Sequence, residues 1–129
     1  MIGLLQRVTE ASVSVEGEVI ADIGKGIVAL VGVERGDSEA EADRLLERLL
    51  AYRIFPDEEG RMNRSLLEVN GAMLLVPQFT LAADTRQGNR PGFSTAAPPT
   101  EGERLFTYLL AQAGGCYGKV AAGRFGADM

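Results

Sequence analysis

The chain has 129 residues, a length typical of one domain, and 46% of them are hydrophobic, enough to form a substantial core. It contains no histidine and one cysteine, which excludes a Ser-His-Asp or Cys-His catalytic device, a histidine or multi-cysteine metal site and an internal disulfide. The net charge of −5 argues against a broad electrostatic footprint for nucleic acid, although a local basic pocket could still grip one nucleotide or chain end.

The distribution of apolar residues predicts no membrane segment. No apolar run approaches the about 20 residues that a membrane-spanning helix needs. The first residues also lack the basic start and long apolar stretch of a signal peptide. We therefore expect a cytoplasmic protein without a membrane partner.

The N-terminal third has the pattern of strands. Val13 and Val15 alternate with polar residues, and an apolar stretch over residues 19–23 follows a short turn, which predicts a hairpin. The continuous apolar run Gly26–Val33 is typical of a strand buried on both faces.

A helix is predicted next. Ser38 with Glu41 three residues on forms a capping box, the usual signature of a helix start. The helix that follows places these apolar residues on one face: Ala42, Leu45, Leu46, Leu49 and Leu50. That face is expected to pack against the sheet.

The middle of the chain alternates turns and short apolar runs. Residues 56–60 form a turn cluster, and the run Leu66–Val69 ends at Asn70-Gly71, the strongest short hairpin signal. The sequence therefore predicts a hairpin whose second arm is the strand ending in Val76-Pro77-Gln78-Phe79-Thr80-Leu81.

The C-terminal third begins with a long loop. Residues 84–99 lack periodicity, and Thr100 to Glu103 form a weaker capping box. The helix that it opens should end at Gly114-Gly115 and carry these residues inward: Leu105, Phe106, Leu109, Leu110 and Ala113. Residues 1–129 are thus expected to form one α+β domain, with antiparallel hairpins in a barrel-like or strongly curved sheet covered by two amphipathic helices.

The strand end at residues 76–81 is the first candidate site. With a period of two, Gln78 and Thr80 project side by side at the end of an apolar face. Pro77 donates no ladder hydrogen bond, so the N–H groups of Gln78 or Phe79 are candidates to stabilise an oxyanion. The alternative is that Gln78 and Thr80 form a solvated strand end.

The loop over residues 86–94 is the second candidate. It combines Arg86, Arg90 and Phe93 with two glycines, and arginine pairs with phosphate while phenylalanine stacks on a base. It lacks the Gly-Lys-Ser/Thr ending of a Walker loop. Here the alternative is a mobile surface loop with solvated arginines.

Two other features are not expected to form a site. The acidic run at residues 57–59 is more typical of a solvated turn than of a metal site. Cys116 is more typical of an inert thiol than of a reactive one.

Taken together, these stretches resemble the D-aminoacyl-tRNA deacylases, and the resemblance covers essentially the whole chain. One of its motifs, Gln78-Phe79-Thr80-Leu81, matches the family signature Ser-Gln-Phe-Thr-Leu at four of five positions. The other motifs follow in family order: Gln6-Arg7-Val8, Ala11-Ser12-Val13, Gly32-Val33, Tyr52-Arg53-Ile54-Phe55, Met62-Asn63, Gly88-Asn89-Arg90-Pro91-Gly92-Phe93, Ala96-Ala97-Pro98-Pro99 and Gly123-Arg124-Phe125-Gly126-Ala127-Asp128-Met129.

The resemblance implies a cytoplasmic homodimer with a barrel-like α+β fold that hydrolyses D-aminoacyl-tRNA in translation quality control, with glycyl-tRNA(Ala) as a further candidate substrate. It implies no metal, no cofactor and no DNA partner. Catalytic positions would be Gln78 and Phe79, as backbone donors, and Thr80, as a nucleophile or a positioning group. A substrate 2′-hydroxyl assisting water suits a chain without histidine better than a threonine nucleophile. The residues expected to bind the 3′-terminal adenosine and its amino acid are Arg7, Pro77, Arg90, Phe93, Phe125 and Met129.

Two departures from the family pattern matter. Pro77 stands where the signature has serine, which affects the local donor geometry. The family also continues beyond the position of Met129 into a strand with Asn-x-Gly-Pro-Val-Thr, whose cis Gly-Pro enters the partner's pocket and excludes L-amino acids. These 129 residues contain no Gly-Pro dipeptide. The resemblance therefore implies either a truncated chain or a protein without that filter and without one strand of its dimer interface. The alternative function is a non-catalytic relative that binds tRNA ends or only dimerises.

Overall fold

The computed structural model describes residues 1–86 and 88–129. Within these ranges the strands are β1 (Ile2–Val8), β2 (Ala11–Val15), β3 (Glu18–Ile23), β4 (Gly26–Gly32), β5 (Phe55–Pro56), β6 (Met62–Arg64), β7 (Ala72–Pro77) and β8 (Val120–Ala122). The helices are α1 (Glu39–Ala51), α2 (Leu66–Val69) and α3 (Pro99–Cys116), and a 3-10 turn spans Phe79–Ala82. No helix in this described part of the chain is both long and apolar enough to cross a membrane.

The central sheet is mixed, in the order β1-β4-β7-β8. β1 pairs with β4 in antiparallel orientation, whereas β4 pairs with β7, and β7 with β8, in parallel. The α+β class is confirmed. The sheet differs from the expected antiparallel, barrel-like one in being mixed and in not closing into a barrel. α1 and α2 lie between β4 and β7 in the chain, and such a helical crossover returns the chain parallel to the strand that it left.

The central sheet is buried on both faces. One face packs against α1 and α3 through alternate residues of two strands: Ile27, Ala29 and Val31 of β4, and Met73 and Leu75 of β7. The other face packs against the β2–β3 hairpin through the intervening residues Val28, Leu30, Leu74 and Val76, which meet Val13 and Ile20. The N-terminal hairpin and the doubly buried strand starting at Gly26 are thus confirmed, because strand side chains alternate between two apolar surfaces.

The first predicted helix is also confirmed. The Glu41 carboxylate accepts a hydrogen bond from the backbone N–H of Ser38 at 2.8 Å, as a capping box requires. Ala42, Leu46 and Leu49 are buried against the sheet, with Leu45 and Leu50 partly buried beside them.

The predicted hairpin at Asn70-Gly71 is wrong. Leu66–Val69 forms the short helix α2, capped by reciprocal bonds between Ser65 and Glu68 of 3.1 and 3.2 Å. Asn70 adopts the left-handed conformation, with φ of 55° and ψ of 38°, as the residue that ends this helix. Asparagine suits both a hairpin turn and a helix end because both need positive φ, so the dipeptide alone does not distinguish them.

The bounds of α3 also differ from expectation. It begins at Pro99 rather than in the Thr100–Glu103 box, because proline at the first helical position has a suitable φ and no N–H to leave unpaired. It continues through Gly114-Gly115 and ends where Gly118 takes a φ of 90° and donates to the Ala113 carbonyl at 3.3 Å. Its inward face is as predicted, with Leu105, Phe106, Leu109 and Ala113 buried.

Candidate functional site

A cavity of about 620 Å³ opens where β4 and β7 end. Because these two strands are parallel, both place their carboxyl ends at this edge of the sheet, the usual location of a ligand in such sheets. The 3-10 turn, the loop before α3, the first turns of α3 and the segment after β8 complete the walls. The lining residues are Val31, Val33, Arg35, Pro77, Gln78, Phe79, Phe93, Ala96, Ala97, Pro98, Pro99, Gly102, Phe106, Phe125 and Gly126.

The polar part of this wall is the backbone after Pro77. The N–H of Gln78 donates to the Val31 carbonyl at 2.8 Å, so the expectation that this N–H is free is wrong. The 3-10 turn starts at Phe79, and the first N–H groups of a helical turn have no partner within it. Among the hydrogen bonds of residues 1–86 and 88–129, none uses the N–H of Phe79 or Thr80. Of the two expected donors, the Phe79 N–H therefore remains available and the Gln78 N–H does not, while the Thr80 N–H is a donor that the sequence did not indicate.

Gln78 and Thr80 meet, as the sequence suggested, but not as neighbours on a strand face. β7 ends at Pro77, and the turn that follows brings the Gln78 side-chain amide to donate to the Thr80 hydroxyl. Gln78 lines the cavity, whereas Thr80 is exposed just outside the lining. Among the described residues, no carboxylate hydrogen-bonds the Thr80 hydroxyl, so its recorded partner is an amide and not a base.

Close packing of β4 holds the turn in place. A Cβ added to Gly32 would lie 2.9 Å from the Leu81 Cβ and 3.2 Å from the Gln78 carbonyl oxygen. The absence of a side chain at Gly32 therefore allows the turn, and with it the Phe79 amide, to sit directly on β4.

An aromatic pair forms the rim of the cavity. The rings of Phe79 and Phe93 are 5.1 Å apart between centroids and inclined at 63°, an edge-to-face contact. Both side chains are exposed, at 58% and 40%, although both are large and apolar. Exposed aromatic rings beside a cavity offer a stacking surface to a planar ligand.

The loop that carries Phe93 is tied to the sheet. Its residues Asp84 and Gly92 exchange backbone bonds of 2.6 and 2.9 Å. Further along, Thr95 donates through its hydroxyl to the Ala82 carbonyl, and Ala97 donates to the Val33 carbonyl at 3.0 Å. These bonds hold Phe93 against the 3-10 turn.

Arg35 is a lining residue that the sequence did not single out. It follows the end of β4, where its backbone N–H donates to the Thr95 carbonyl at 2.9 Å and its Nε donates to the Ser94 carbonyl at 3.1 Å. Its position three residues after the end of the buried strand β4 is the sequence signal that could have identified it.

A second, shallower depression of about 530 Å³ contains Arg90 together with Asp84, Arg86, Gly92 and Ser94. The Arg86 guanidinium binds both oxygens of the Asp84 carboxylate, at 3.0 and 2.8 Å. Its hydrogen bonds lower the pKa of Asp84 to about 2. Arg90 therefore lies in a polar depression distinct from the main cavity.

Of the expected C-terminal residues, Phe125 lines the cavity and Met129 lies outside the lining, whereas Arg7 lies elsewhere. The Phe125 ring packs on Gly102, where an added Cβ would be 3.3 Å from its Cζ, and Met129 Sδ lies over Gly123 beside Pro77. Arg7 pairs with Ile27 at the opposite end of β4 and donates to the Ile54 carbonyl at 2.7 Å. Within this chain Arg7 is thus not part of the cavity.

Comparison with known proteins gives concordant matches. A family described as D-Tyr-tRNA(Tyr) deacylase matches residues 4–129. The D-aminoacyl-tRNA deacylase of Nitrosococcus oceani is 64% identical over 129 residues, covering 100% of this chain and 83% of that protein. The D-aminoacyl-tRNA deacylase of Stutzerimonas stutzeri is 59% identical over 129 residues, covering 100% of this chain and 89% of that protein.

Two solved structures are also similar. The c-Myc DNA unwinding element binding protein superposes with a TM-score of 0.92 at 36% identity, covering 98% of this chain and 86% of that one. A probable eukaryotic D-amino acid tRNA deacylase superposes with a TM-score of 0.78 over 98% of this chain and 89% of that one. At 17% identity, the second likeness shows a shared fold.

Proposed function

Because the chain belongs to the D-Tyr-tRNA(Tyr) deacylase family, we propose that it hydrolyses the ester bond of D-aminoacyl-tRNA, releasing the D-amino acid and free tRNA. The observation that carries this proposal is the backbone N–H of Phe79, which makes no hydrogen bond within residues 1–86 and 88–129, at the wall of a cavity that is otherwise mostly apolar. The N–H of Thr80, just outside the lining, is likewise without a partner in these ranges. An ester carbonyl placed there would find hydrogen-bond donors where its negative charge develops. Glycyl-tRNA(Ala) is a second substrate to be tested.

The cavity is suited to the end of a tRNA. The base of the terminal adenosine is proposed to occupy the apolar wall near Phe125 and Met129, with the Phe79–Phe93 pair at the rim. Stacking of a base on an aromatic side chain contributes about 1–3 kcal/mol. Arg90 is proposed to meet a phosphate of the preceding nucleotides, and its location in the adjacent polar depression supports this role.

The oxyanion of the tetrahedral intermediate is assigned to the N–H of Phe79, with the N–H of Thr80 as a second donor. Gln78 contributes in a different way than first expected, because its own N–H is bound to Val31. That bond fixes the start of the turn, and the Gln78 side chain orients the Thr80 hydroxyl. Removing one oxyanion donor typically lowers kcat by about 10²–10³-fold.

Thr80 is proposed to be a positioning group rather than a nucleophile. A threonine hydroxyl needs an adjacent base to attack an ester, and the recorded partner of this hydroxyl is the Gln78 amide. Water activated by the 2′-hydroxyl of the substrate supplies the nucleophile without a histidine. Thr80→Val, which keeps the shape of the side chain, is expected to lower kcat less than tenfold, whereas a nucleophile would lose at least about 10³-fold.

Further proposals concern the assembly and location. We propose a homodimer, supported by the exposed apolar side chains of Leu4 on β1 and Val19 on the hairpin. The net charge of −5 supports an RNA end rather than a DNA duplex as the nucleic-acid partner. A substrate that takes part in translation supports a cytoplasmic location, without a membrane partner.

The test is release of D-tyrosine from D-Tyr-tRNA by the purified chain, with L-Tyr-tRNA assayed in parallel. Phe79→Pro removes the proposed donor, and proline is compatible with the first position of the turn after an extended Gln78. Phe79→Ala is the matched control because it removes the ring and keeps the N–H. We expect Phe79→Pro to have a kcat about 10²-fold below that of Phe79→Ala.

Equal kcat values for these two variants would refute the role of the amide. A chain that binds uncharged tRNA but releases no D-tyrosine would be the non-catalytic relative. The observation that favours this second candidate is that no carboxylate of the described residues hydrogen-bonds the Thr80 hydroxyl. Hydrolysis of L-Tyr-tRNA at a comparable rate would show that these residues do not discriminate chirality.

A further inference from the structure

We propose that Arg35 binds the 5′-phosphate of the terminal nucleotide of the substrate, an inference that rests on the proposed function. Of the residues that line the main cavity in the described chain, Arg35 is the one with a formal charge. A single cation in a mostly apolar cavity indicates that the ligand brings one anionic group to that point of the wall.

The backbone and Nε hold the guanidinium in place. The Arg35 N–H and Nε bind the Thr95 and Ser94 carbonyls at 2.9 and 3.1 Å, so the start and the end of the side chain are fixed against the loop. A guanidinium has five N–H groups, and the Nε contact uses one of them. The two terminal nitrogens then offer the paired donors that match a phosphate.

The charge of Arg35 is not neutralised by its neighbours. The nearest acidic residues in sequence, Glu34 and Asp37, bind the Met1 ammonium at 3.0 and 2.8 Å. Among the ion pairs found in residues 1–86 and 88–129, none includes Arg35. By contrast, Arg86 and Arg104 are both paired with carboxylates and carry less net charge toward a ligand.

The chemistry of the substrate identifies the anion. In an aminoacyl ester the amino acid has no free carboxylate, and its ammonium would be repelled by arginine. The anion closest to the ester is therefore the phosphate that links the terminal nucleoside to the preceding one. Because the Arg35 Nε also holds Ser94, the residue after Phe93, phosphate binding would stabilise the rim against which the base stacks.

The experiment compares two small substrates, 3′-O-D-tyrosyl-adenosine and the same ester with a 5′-monophosphate. We expect the wild-type chain to prefer the phosphorylated ester by about tenfold in kcat/KM, as a charge-assisted hydrogen bond predicts. In Arg35→Ala this ratio should fall to about one, while Arg35→Lys should keep part of it. Arg61→Ala removes a charge from an exposed turn, where Arg61 lies near Glu59, and should keep the full ratio.

The ratio distinguishes phosphate binding from a structural role. A loss of rate that is equal for both esters would show that Arg35 acts only by holding Ser94, and the proposal would be overturned. A wild-type chain that hydrolyses both esters without preference would also overturn it, while leaving the proposed function intact.

Binding provides a readout that does not need catalysis. The wild-type chain should bind AMP about tenfold more tightly than adenosine in titration calorimetry, and Arg35→Ala should bind both alike. With uncharged tRNA, the slope of log K against log salt should fall by about 0.7 in Arg35→Ala, the value for one phosphate of a single strand. An unchanged slope and an unchanged AMP preference would refute the assignment even if the chain hydrolyses no ester.

Discussion

Replacing Gly32 by alanine tests whether the packing of β4 against the 3-10 turn positions the Phe79 amide. An added Cβ at this buried residue would lie 2.9 Å from the Leu81 Cβ, whereas carbon atoms in contact are normally about 3.5–4.0 Å apart. The turn must therefore move by roughly 0.6–1.1 Å. Because the Leu81 Cβ is attached to the backbone, a change of rotamer cannot relieve the contact.

Two quantities follow from this displacement. Overpacking of this kind lowers the free energy of unfolding by about 1–3 kcal/mol. For a chain of this length, that corresponds to a fall in Tm of roughly 4–12 °C. A shift of about 1 Å in a group that contacts the reacting atoms lowers kcat about 100-fold. The KM for D-Tyr-tRNA should change much less, because the remaining cavity walls keep their positions.

The assay combines calorimetric melting with single-turnover hydrolysis well below the Tm of the variant. Gly24→Ala is the matched control, since a Cβ at the exposed Gly24 meets no atom within 4 Å. That variant should stay within about 0.5 kcal/mol of the wild-type stability and keep its kcat. An unchanged Tm for Gly32→Ala would refute the close packing, and a lowered Tm with unchanged kcat would refute the role of the amide.

Two further predictions concern other parts of the chain. Ser65→Ala removes the hydroxyl that accepts a hydrogen bond from the Glu68 N–H at 3.2 Å. We expect the free energy of unfolding, measured with urea, to fall by about 1 kcal/mol while the slope m against urea concentration stays constant. An unchanged urea midpoint would contradict the role of this cap. Arg86→Gln should raise the pKa of Asp84 from about 2 toward 3.8, measured by NMR titration of the carboxyl carbon. Because the folded pKa is the lower one, the pair stabilises the fold above about pH 4 and ceases to do so as the pH falls through about 2. A pKa that stays at about 2 in the variant would exclude the Arg86 guanidinium as the cause, since the Arg86 backbone N–H still binds Asp84 at 3.1 Å.

The candidate site was partly predictable from local sequence. Pro77, Gln78, Phe79, Phe93 and Phe125 were all expected at the site, and all line one cavity. It was the resemblance to the family that assigned residues distant in the chain, such as Pro77 and Phe125, to the same site. Periodicity contributed less, because the strand ends at Pro77 and the residues after it no longer alternate.

The misassigned segment at Leu66–Val69 shows why short runs are ambiguous. Four apolar and acidic residues fit a strand or one helical turn equally well, and periodicity cannot decide between them. The Ser65 and Glu68 spacing is itself a capping box and would have indicated the helix. The dipeptide Asn70-Gly71 then indicates only a residue with positive φ, which a hairpin turn and a helix end both need.

Composition and periodicity alone were sufficient for the α+β class, the N-terminal hairpin, the doubly buried strand and the faces of both long helices. These features depend on residues that are close in the chain, so the sequence pattern contains the whole signal. The tertiary structure decided the parallel pairing of β4 with β7, which of the two expected donors, Gln78 or Phe79, keeps its N–H free, and the location of Arg35. Each of these depends on contacts between distant segments, such as the bond from Gln78 to Val31 and the contact of Arg35 with Ser94, which local pattern does not encode.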